Sequence, residues 1–425
     1  MKIKRITILI LIFTILFTTF SFGADLLIDV KDNEQSSTEA KDDLNIYSEA
    51  VILIENKTGK TLYEKNSEQK MYPASTTKIL TAILAIEKGN LQDNVTVTKS
   101  ALAQMKAGYS SAYLSEGEIM SVENLLTVLL VHSANDASNV LAEYISGSID
   151  EFVNLMNEKV KELGCNNTHF VTTNGLHDDN HYTTAKDLCT IARYCMKNST
   201  FRKFVSMRSC KIPATNKSAE RYYKNTNDLL NTTSAYYYPS CIGIKTGYTS
   251  EAKNCLISAC NKNGLQTIAV VLGAGVTENN KSARYVDSKT LYDYAYSNYA
   301  IETVAKSSSI LGTTDVKKAT KETKSLDLLL ENDITALVNK SNKSKINYEL
   351  HIDENLSAPI AANSVVGTVT YNIEGIEYTS NLIASHAVEK THILIIILRI
   401  VLVIVILTLI LFIIKYILKN KRNKR

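Results

Sequence analysis

A serine and a lysine three residues apart, Ser75 and Lys78, are the side chains of this 425-residue chain whose types and spacing best suit covalent chemistry. Residues three apart lie on one face of a helix, roughly 5–6 Å apart, so the Lys78 amine can reach the Ser75 hydroxyl. Pro73 suits the first turn of a helix, and the apolar run that follows ends at Gly89. Burial favours a neutral amine and lowers its pKa, so Lys78 can take the proton of Ser75 and leave a nucleophile.

The same spacing also occurs a short way upstream, where it means less. Ser67 and Lys70 are three apart as well, but polar residues surround them and leave the lysine solvated. The sequence therefore predicts a loop around Ser67 and a buried helix behind Ser75.

Two further short motifs follow along the chain. Ser133 and Asn135 stand between two helical patterns, and a Lys-Thr-Gly motif at residues 245–247 begins a strand-rich segment. Alone, the first motif is also typical of a helix-capping turn and the second of a solvated turn. A second Lys-Thr-Gly, at residues 57–59, precedes Ser75 in a predicted hairpin turn, and we assign it a structural role.

The elements that must position these motifs form one predicted α/β domain, residues 46–300. Strands precede the Ser75 helix, helices occupy the middle of the chain, and strands with a closing helix follow. This order predicts distant strands paired in an antiparallel sheet that is flanked by helices. The predicted strands are 50–54, 61–63, 255–260 and 266–273, and the further helices are 122–130, 136–147 (capped by Asp136), 149–163, 184–196 and 282–296.

A different composition begins after this domain. Residues 301–325 are rich in lysine, threonine and serine and are predicted to be a linker. Polar and apolar residues alternate in residues 326–385, which predicts a small antiparallel β domain.

Both ends of the chain indicate export. Three basic residues precede an apolar run that ends at small residues, which predicts a signal peptide over residues 1–23. An uncleaved anchor is the alternative, and either choice exports the body of the chain. Residues 24–45 are too polar to form a core and are predicted to be a flexible leader.

A second apolar segment lies near the C-terminus and predicts a transmembrane anchor over residues 393–418, followed by a basic tail, residues 419–425. Basic residues favour the cytoplasmic side, so we expect the tail inside and the catalytic region outside the cell membrane. An amphipathic helix lying in the membrane plane is the alternative, but the segment has no polar face. Arg399 interrupts the span and can extend to the outer interface.

Charge and cysteine content exclude other classes of function. The net charge is +4, but residues 1–23 hold three basic residues and residues 415–425 hold six, so residues 24–414 carry −5 and nucleic acid is not expected as a partner. The seven cysteines, an odd number, leave at least one unpaired, and their spacing lacks the close pairs of a zinc site. We predict no metal or other cofactor.

In chain order, the three motifs resemble those of the acyl-serine penicillin-recognising enzymes. Ala134 stands where the usual set has an aspartate, whereas Ser133 and Asn135 are retained. The surrounding residues are similar to the D-alanyl-D-alanine carboxypeptidases among the low-molecular-mass penicillin-binding proteins, over nearly the whole exported region. This resemblance implies a penicillin-binding/β-lactamase-like fold, an antiparallel sheet flanked by helices, followed by a small all-β domain and a C-terminal transmembrane helix. The stretches that carry it are 72–78, 132–137, 174–188, 225–230 and 243–249.

The resemblance also implies catalytic roles. Ser75 attacks the carbonyl between two terminal D-alanines of a peptidoglycan pentapeptide stem, Lys78 takes its proton, and water hydrolyses the acyl-enzyme. Ser133 passes a proton to the leaving amine. The backbone N–H groups of Ser75 and Tyr248 stabilise the oxyanion. β-Lactams are the expected covalent inhibitors.

The remaining implied residues bind substrate. Asn135 holds its amide, and Lys245 with Thr246 meets its terminal carboxylate. Gly247 leaves room for the substrate backbone, and Arg284 is a further candidate for the carboxylate. His181 is interpreted as a loop histidine rather than a catalytic one.

Other activities of such a site stay open at this point. A class A β-lactamase needs a glutamate within Glu-x-x-Leu-Asn, which this chain lacks. A D,D-endopeptidase or a transpeptidase would use the same residues. An anchored cell-wall binding module with a vestigial site is the alternative outside enzymes.

Overall fold

The computed structural model describes residues 44–106, 108–341 and 346–422, and the residues from Ile46 onward form one compact unit. The predicted signal peptide and nearly all of the predicted leader lie outside the described residues. The helices are α1 (Lys78–Lys88), α2 (Lys99–Leu102), α3 (Val122–Val131), α4 (Asn135–Ser146), α5 (Ile149–Glu162), α6 (Ala185–Lys197), α7 (Ser199–Val205), α8 (Ala283–Asn298) and α9 (Ile393–Arg422).

The strands divide between the two halves of the chain. The first nine are β1 (Ala50–Glu55), β2 (Thr61–Lys65), β3 (Asn94–Thr96), β4 (Ile119–Ser121), β5 (Ser209–Ile212), β6 (Arg221–Lys224), β7 (Cys241–Thr249), β8 (Lys253–Lys262) and β9 (Leu265–Ala274). The later seven are β10 (Tyr299–Ala305), β11 (Ile310–Asp315), β12 (Ser325–Leu330), β13 (Ile334–Asn339), β14 (Asn347–Ile352), β15 (Val365–Ile373) and β16 (Ile376–Ala384).

The first half is built on a five-stranded antiparallel sheet in the order β2-β1-β9-β8-β7. The first strand pairs with one more than 200 residues later, since Ala50 lies opposite Leu272. The long apolar runs of β1, β8 and β9 are buried, as expected for strands covered by helices. The predicted antiparallel sheet of distant strands flanked by helices is therefore confirmed, and β7, which carries residues 245–247, forms one edge of the sheet.

Helix α1 lies inside the helical layer. Every residue from Lys78 to Ala85 is buried, and the helix packs against α3, α4 and α6. Burial on all sides explains why its sequence is apolar around most of its circumference.

Two local predictions differ from the structure. The helix expected from Pro73 begins at Lys78, and Ala74–Thr77 form a 3-10 turn instead. The hydroxyls of Thr76 and Thr77 donate to the carbonyls of Pro73 and Ala74, at 2.6 and 2.9 Å, which competes with regular helical bonding.

The second difference is at the start of α4. Ala134, not Asp136, occupies the N-cap position. The Asp136 carboxylate accepts hydrogen bonds from the Ser111 hydroxyl and from the amides of Ala112 and Leu114, at 2.6, 3.0 and 3.0 Å. The Asp136 carboxylate is used for long-range hydrogen bonds instead of helix capping, and a sequence pattern does not show such bonds.

The later strands form two antiparallel sheets, β10-β13 and β11-β12-β16-β15-β14, around a core of their own. The stretch predicted as a linker, residues 301–325, therefore contains most of β10 and all of β11. These strands are only partly buried, so the composition of the stretch resembles that of a linker. β11 pairs with the next strand, β12, whereas β10 pairs with the more distant β13. The domain boundaries stay predictions.

The last helix, α9, is exposed along its length. Its residues Ile393–Asn420 have a mean hydropathy of 3.5 over their most apolar window and are long enough to span a bilayer. All seven cysteines are free thiols, and six of them are buried.

Candidate active site

The Ser75 hydroxyl and the Lys78 amine are in direct contact. Lys78 Nζ lies 2.7 Å from Ser75 Oγ and donates a second hydrogen bond, of 2.6 Å, to the carbonyl of Asn174. The 3-10 turn carries Ser75, and Lys78 is the first residue of α1, so the two side chains meet at the open end of a buried helix.

The environment of Lys78 favours the neutral amine. The residue is 0% exposed, and desolvation holds its pKa well below the usual lysine value. The positive charge of Lys245 lowers this pKa further, and Asp136 opposes the shift. A neutral amine at 2.7 Å can accept the hydroxyl proton of Ser75, as general-base activation of a nucleophile requires.

Two glycines let backbone segments approach the nucleophile turn. A Cβ on Gly247 would lie 3.0 Å from the Pro73 carbonyl and 3.1 Å from the Ser75 nitrogen. A Cβ on Gly175 would lie 1.9 Å from the Ala74 carbonyl, and Gly175 has a φ of +83°. We expected a glycine at position 247 because it leaves room for the substrate. The structure adds a second reason, since β7 packs directly against the turn that carries Ser75.

His181 supports the same turn from behind. Its Nδ1 accepts the amide of Val171 at 3.1 Å, so Nε2 carries the proton and donates to the Thr77 hydroxyl at 2.8 Å. Thr77 in turn donates to the Ala74 carbonyl. Burial lowers the pKa of His181 to about 3, which keeps it neutral. The interpretation of His181 as non-catalytic fits this contact, but its role in holding the turn was missed.

Ser133 lies in the turn between α3 and α4, and Asn135 is the first residue of α4. Ser133 has a positive φ of +70°, and the amide of Asn135 donates to the Ser110 carbonyl at 2.9 Å. Asn135 Oδ1 is buried without a hydrogen-bond partner in the part of the chain that the structure describes. An unpaired buried amide oxygen is costly, so its availability suits an acceptor for a bound N–H group.

Lys245 and Arg284 form a cationic region beside Gly247, and Thr246 adds a hydroxyl to it. Lys245 is almost fully buried, and its pKa falls to about 7 because of desolvation and the positive charge of Arg284. Arg284 Nη1 donates to the Gly247 carbonyl at 3.3 Å, while its buried Nε finds no acceptor among the described residues. Thr246 is hydrogen-bonded to Thr226 through their hydroxyls, 2.6 Å apart. These donors suit a carboxylate.

The structure thus links most of the predicted residues by contact or charge. The Lys78 amine is hydrogen-bonded to the Ser75 hydroxyl, and Gly247 packs against the backbone of the Ser75 turn. Arg284 is hydrogen-bonded to the Gly247 carbonyl. The side chain of Tyr248 is 65% exposed and points away from the protein core. Residues 174 and 175 belong to a stretch that carries the family resemblance, but the sequence pattern assigns them no role in the site. The Asn-Gly pair signals a positive φ, but not the carbonyl that receives Lys78.

The upstream lookalike is not a nucleophile pair. The Ser67 hydroxyl donates to Glu64 at 2.6 Å, and the Lys70 amine lies over the ring of Tyr182, 4.2 Å from its centroid.

An antiparallel sheet whose edge strand packs on a serine paired with a buried lysine defines an acyl-serine, penicillin-recognising hydrolase. Residues 34–276 match the family described as D-alanyl-D-alanine carboxypeptidase, and residues 299–390 match the C-terminal domain of penicillin-binding protein 5. The chain belongs to the D-alanyl-D-alanine carboxypeptidase family and is a serine-type enzyme.

Individual relatives agree with this assignment. The chain is 34% identical to D-alanyl-D-alanine carboxypeptidase DacF of Bacillus subtilis over 86% of its own length and 90% of that protein. Penicillin-binding protein 5 of Haemophilus influenzae superposes with a TM-score of 0.60 at 28% identity, over 81% of this chain and 98% of that one. The Streptomyces K15 DD-transpeptidase superposes with a TM-score of 0.54 at 32% identity, over 59% and 98%.

A methyl group on Gly175 should disturb the nucleophile. In Gly175→Ala the new Cβ would meet the Ala74 carbonyl, and a shift of about 1 Å in the turn should slow acylation by benzylpenicillin about a hundredfold. Gly164→Ala is the matched control, because Gly164 also has a positive φ, +75°, but no atom lies within 4 Å of its Cβ. Equal acylation rates in the two folded variants would contradict the contact.

The charge of Lys245 should determine the pH above which kcat/KM falls for peptides that end in D-Ala-D-Ala, which is the alkaline limb of the pH profile. Its pKa of about 7 means that the charged form disappears as the pH rises through that value, so kcat/KM should fall there. Arginine keeps its charge, so Lys245→Arg should move this limb to higher pH. Lys253→Arg, at an exposed lysine paired with Glu49, is the control and should leave the profile unchanged. An alkaline limb that stays in place in Lys245→Arg would exclude this role.

Proposed function

We propose that this chain is a membrane-anchored carboxypeptidase that removes the terminal D-alanine of peptidoglycan stem peptides through an acyl-serine intermediate. The contact of 2.7 Å between a desolvated Lys78 amine and the Ser75 hydroxyl is the observation that carries the proposal. The cationic region of Lys245 and Arg284 beside it supports a substrate that ends in a carboxylate.

The first half-reaction forms the acyl-enzyme. Lys78 accepts the proton of Ser75 while Ser75 Oγ bonds to the carbonyl carbon of the penultimate D-alanine. The backbone N–H groups of Ser75 and Tyr248 stabilise the oxyanion. When the intermediate collapses, the C–N bond breaks, Ser133 delivers its proton to the leaving amine and takes one from Lys78, and D-alanine departs.

The second half-reaction restores the enzyme. Lys78, neutral again, takes a proton from the attacking water as the water oxygen bonds to the ester carbonyl. The bond to Ser75 Oγ then breaks, and Lys78 passes that proton to the serine. Asn135 Oδ1 accepts a hydrogen bond from the substrate amide throughout, which satisfies its buried oxygen. β-Lactams acylate Ser75 by the same first step.

The anchor gives the proposed location. Ile393–Asn420 is long and apolar enough to cross the cell membrane once, and the basic residues after it favour a cytoplasmic C-terminus with the catalytic region outside. The stem peptide would then be met on the outer face of the membrane.

Transpeptidation is the second candidate, because one similar solved structure carries the name DD-transpeptidase. An amine acceptor would take the place of water in the second half-reaction, at the same acyl-serine. The products separate the two: hydrolysis releases D-alanine and a shortened stem, whereas transfer also yields a peptide dimer.

The test uses the full chain in detergent with a pentapeptide stem and, separately, benzylpenicillin. We expect D-alanine release and one penicillin adduct per chain by intact mass. Ser75→Ala should lose the adduct and reduce D-alanine release more than about a thousandfold, since the nucleophile is gone. Ser67→Ala removes a hydroxyl that donates to Glu64, and this variant should behave as the unmodified protein. An undiminished adduct in Ser75→Ala would overturn the assignment of the nucleophile.

A further inference from the structure

Arg399 is a charged residue in an otherwise aliphatic stretch. Within α9 it is the only charged side chain between residues 393 and 414. A charge at this depth of a membrane is costly unless an opposite charge or the interface receives it. At about 1.5 Å per residue, Arg399 lies about 9 Å along the helix from Ile393, within reach of the outer interface.

The start of α9 is fixed against the β domain. The backbone of Val388 pairs with that of Ile360, and the Thr391 amide donates to the Lys318 carbonyl at 2.8 Å. The Thr391 hydroxyl donates to the carbonyl of Ala319. The helix therefore begins from an anchored segment, so the side chains on its first two turns face a defined part of the β domain.

An open groove of about 1310 Å³ lies at this junction, and we name it the junction groove. Ile360, Val388, Ile395 and Ile396 give it an apolar wall. Its charged residues are Lys321, Lys390, Arg399, Glu322 and Glu389.

The basic side chains of the junction groove outnumber its acidic ones by three to two. None of Lys321, Lys390 and Arg399 forms an ion pair within residues 44–106, 108–341 and 346–422. An amphipathic groove with free cations at the start of a membrane span fits a ligand with an anionic head and an apolar tail.

We propose that the junction groove binds one anionic phospholipid of the outer leaflet, with its phosphate at Arg399 and Lys390 and an acyl chain along Ile395 and Ile396. Arginine suits phosphate because its planar guanidinium can donate two parallel hydrogen bonds. Such a lipid supplies the missing counter-charge and holds the β domain against the membrane surface. This inference rests on the proposed membrane anchoring.

The test measures lipid binding by the full chain in a neutral detergent, by native mass spectrometry. We expect one phosphatidylglycerol per chain, bound at least about tenfold more tightly than phosphatidylcholine. Arg399→Gln and Lys390→Gln should each weaken binding about tenfold, because each removes a charge-assisted contact. Lys390 lies outside the helix, so its variant does not depend on how α9 tolerates substitution. Lys419→Gln, near the other end of α9, is the matched control and should bind as the unmodified protein does.

Two results would overturn the proposal: unchanged phosphatidylglycerol binding in both groove variants, or no preference over phosphatidylcholine. Displacement of the lipid by millimolar inorganic phosphate would show a site for free phosphate and would also contradict it. Co-sedimentation with vesicles and penicillin acylation, measured on the same samples, separate the outcomes. Loss of lipid selectivity with both retained refutes only the groove, whereas a chain that does not co-sediment refutes the anchoring.

Discussion

The structure depends on one desolvated amine. Lys78 Nζ is held between the Ser75 hydroxyl and the Asn174 carbonyl, and the residue is 0% exposed. Burying a lysine is unfavourable for its charged form, and this cost is what makes the amine a base. The apolar circumference of α1 supplies the burial. The close approaches at Gly175 and Gly247, and the contact of His181 with Thr77, keep the turn of Ser75 at the distance that the amine needs.

The two buried lysines, Lys78 and Lys245, repel each other when both are charged. Lys245 lowers the pKa of Lys78, and Arg284 lowers that of Lys245, so positive charges accumulate where a substrate carboxylate is proposed to bind. The nearby carboxylate of Asp136 is already occupied by the loop at residues 111–114. An arriving carboxylate would relieve this repulsion. The same positive charges that bind the substrate therefore also help to keep the catalytic base neutral before it arrives.

Local patterns predicted much of this arrangement. The serine–lysine spacing, the apolar helix and the hairpin turns are short-range features, and they predicted the sheet, the contact of Ser75 with a buried Lys78 and the order of elements. Contacts between distant segments were not accessible in the same way. The Asp136 carboxylate looked like a helix cap but binds a loop more than 20 residues away. β10 looked like a linker because the residues it pairs with lie 29 to 40 positions further on. The Asn174 acceptor is a backbone carbonyl, and since every residue has one, the residue type does not indicate this role.

The pH dependence of acylation at Ser75 by benzylpenicillin tests the central claim most directly, since the first half-reaction needs a neutral Lys78. Intact mass spectrometry at timed intervals gives the acylation rate constant across the pH range in which the protein stays folded. A depressed pKa of Lys78 predicts that the rate has already reached its plateau well below pH 10.5, the ordinary value for a lysine. A rate that continues to rise until about that pH would show an ordinary, charged Lys78 and would contradict the account.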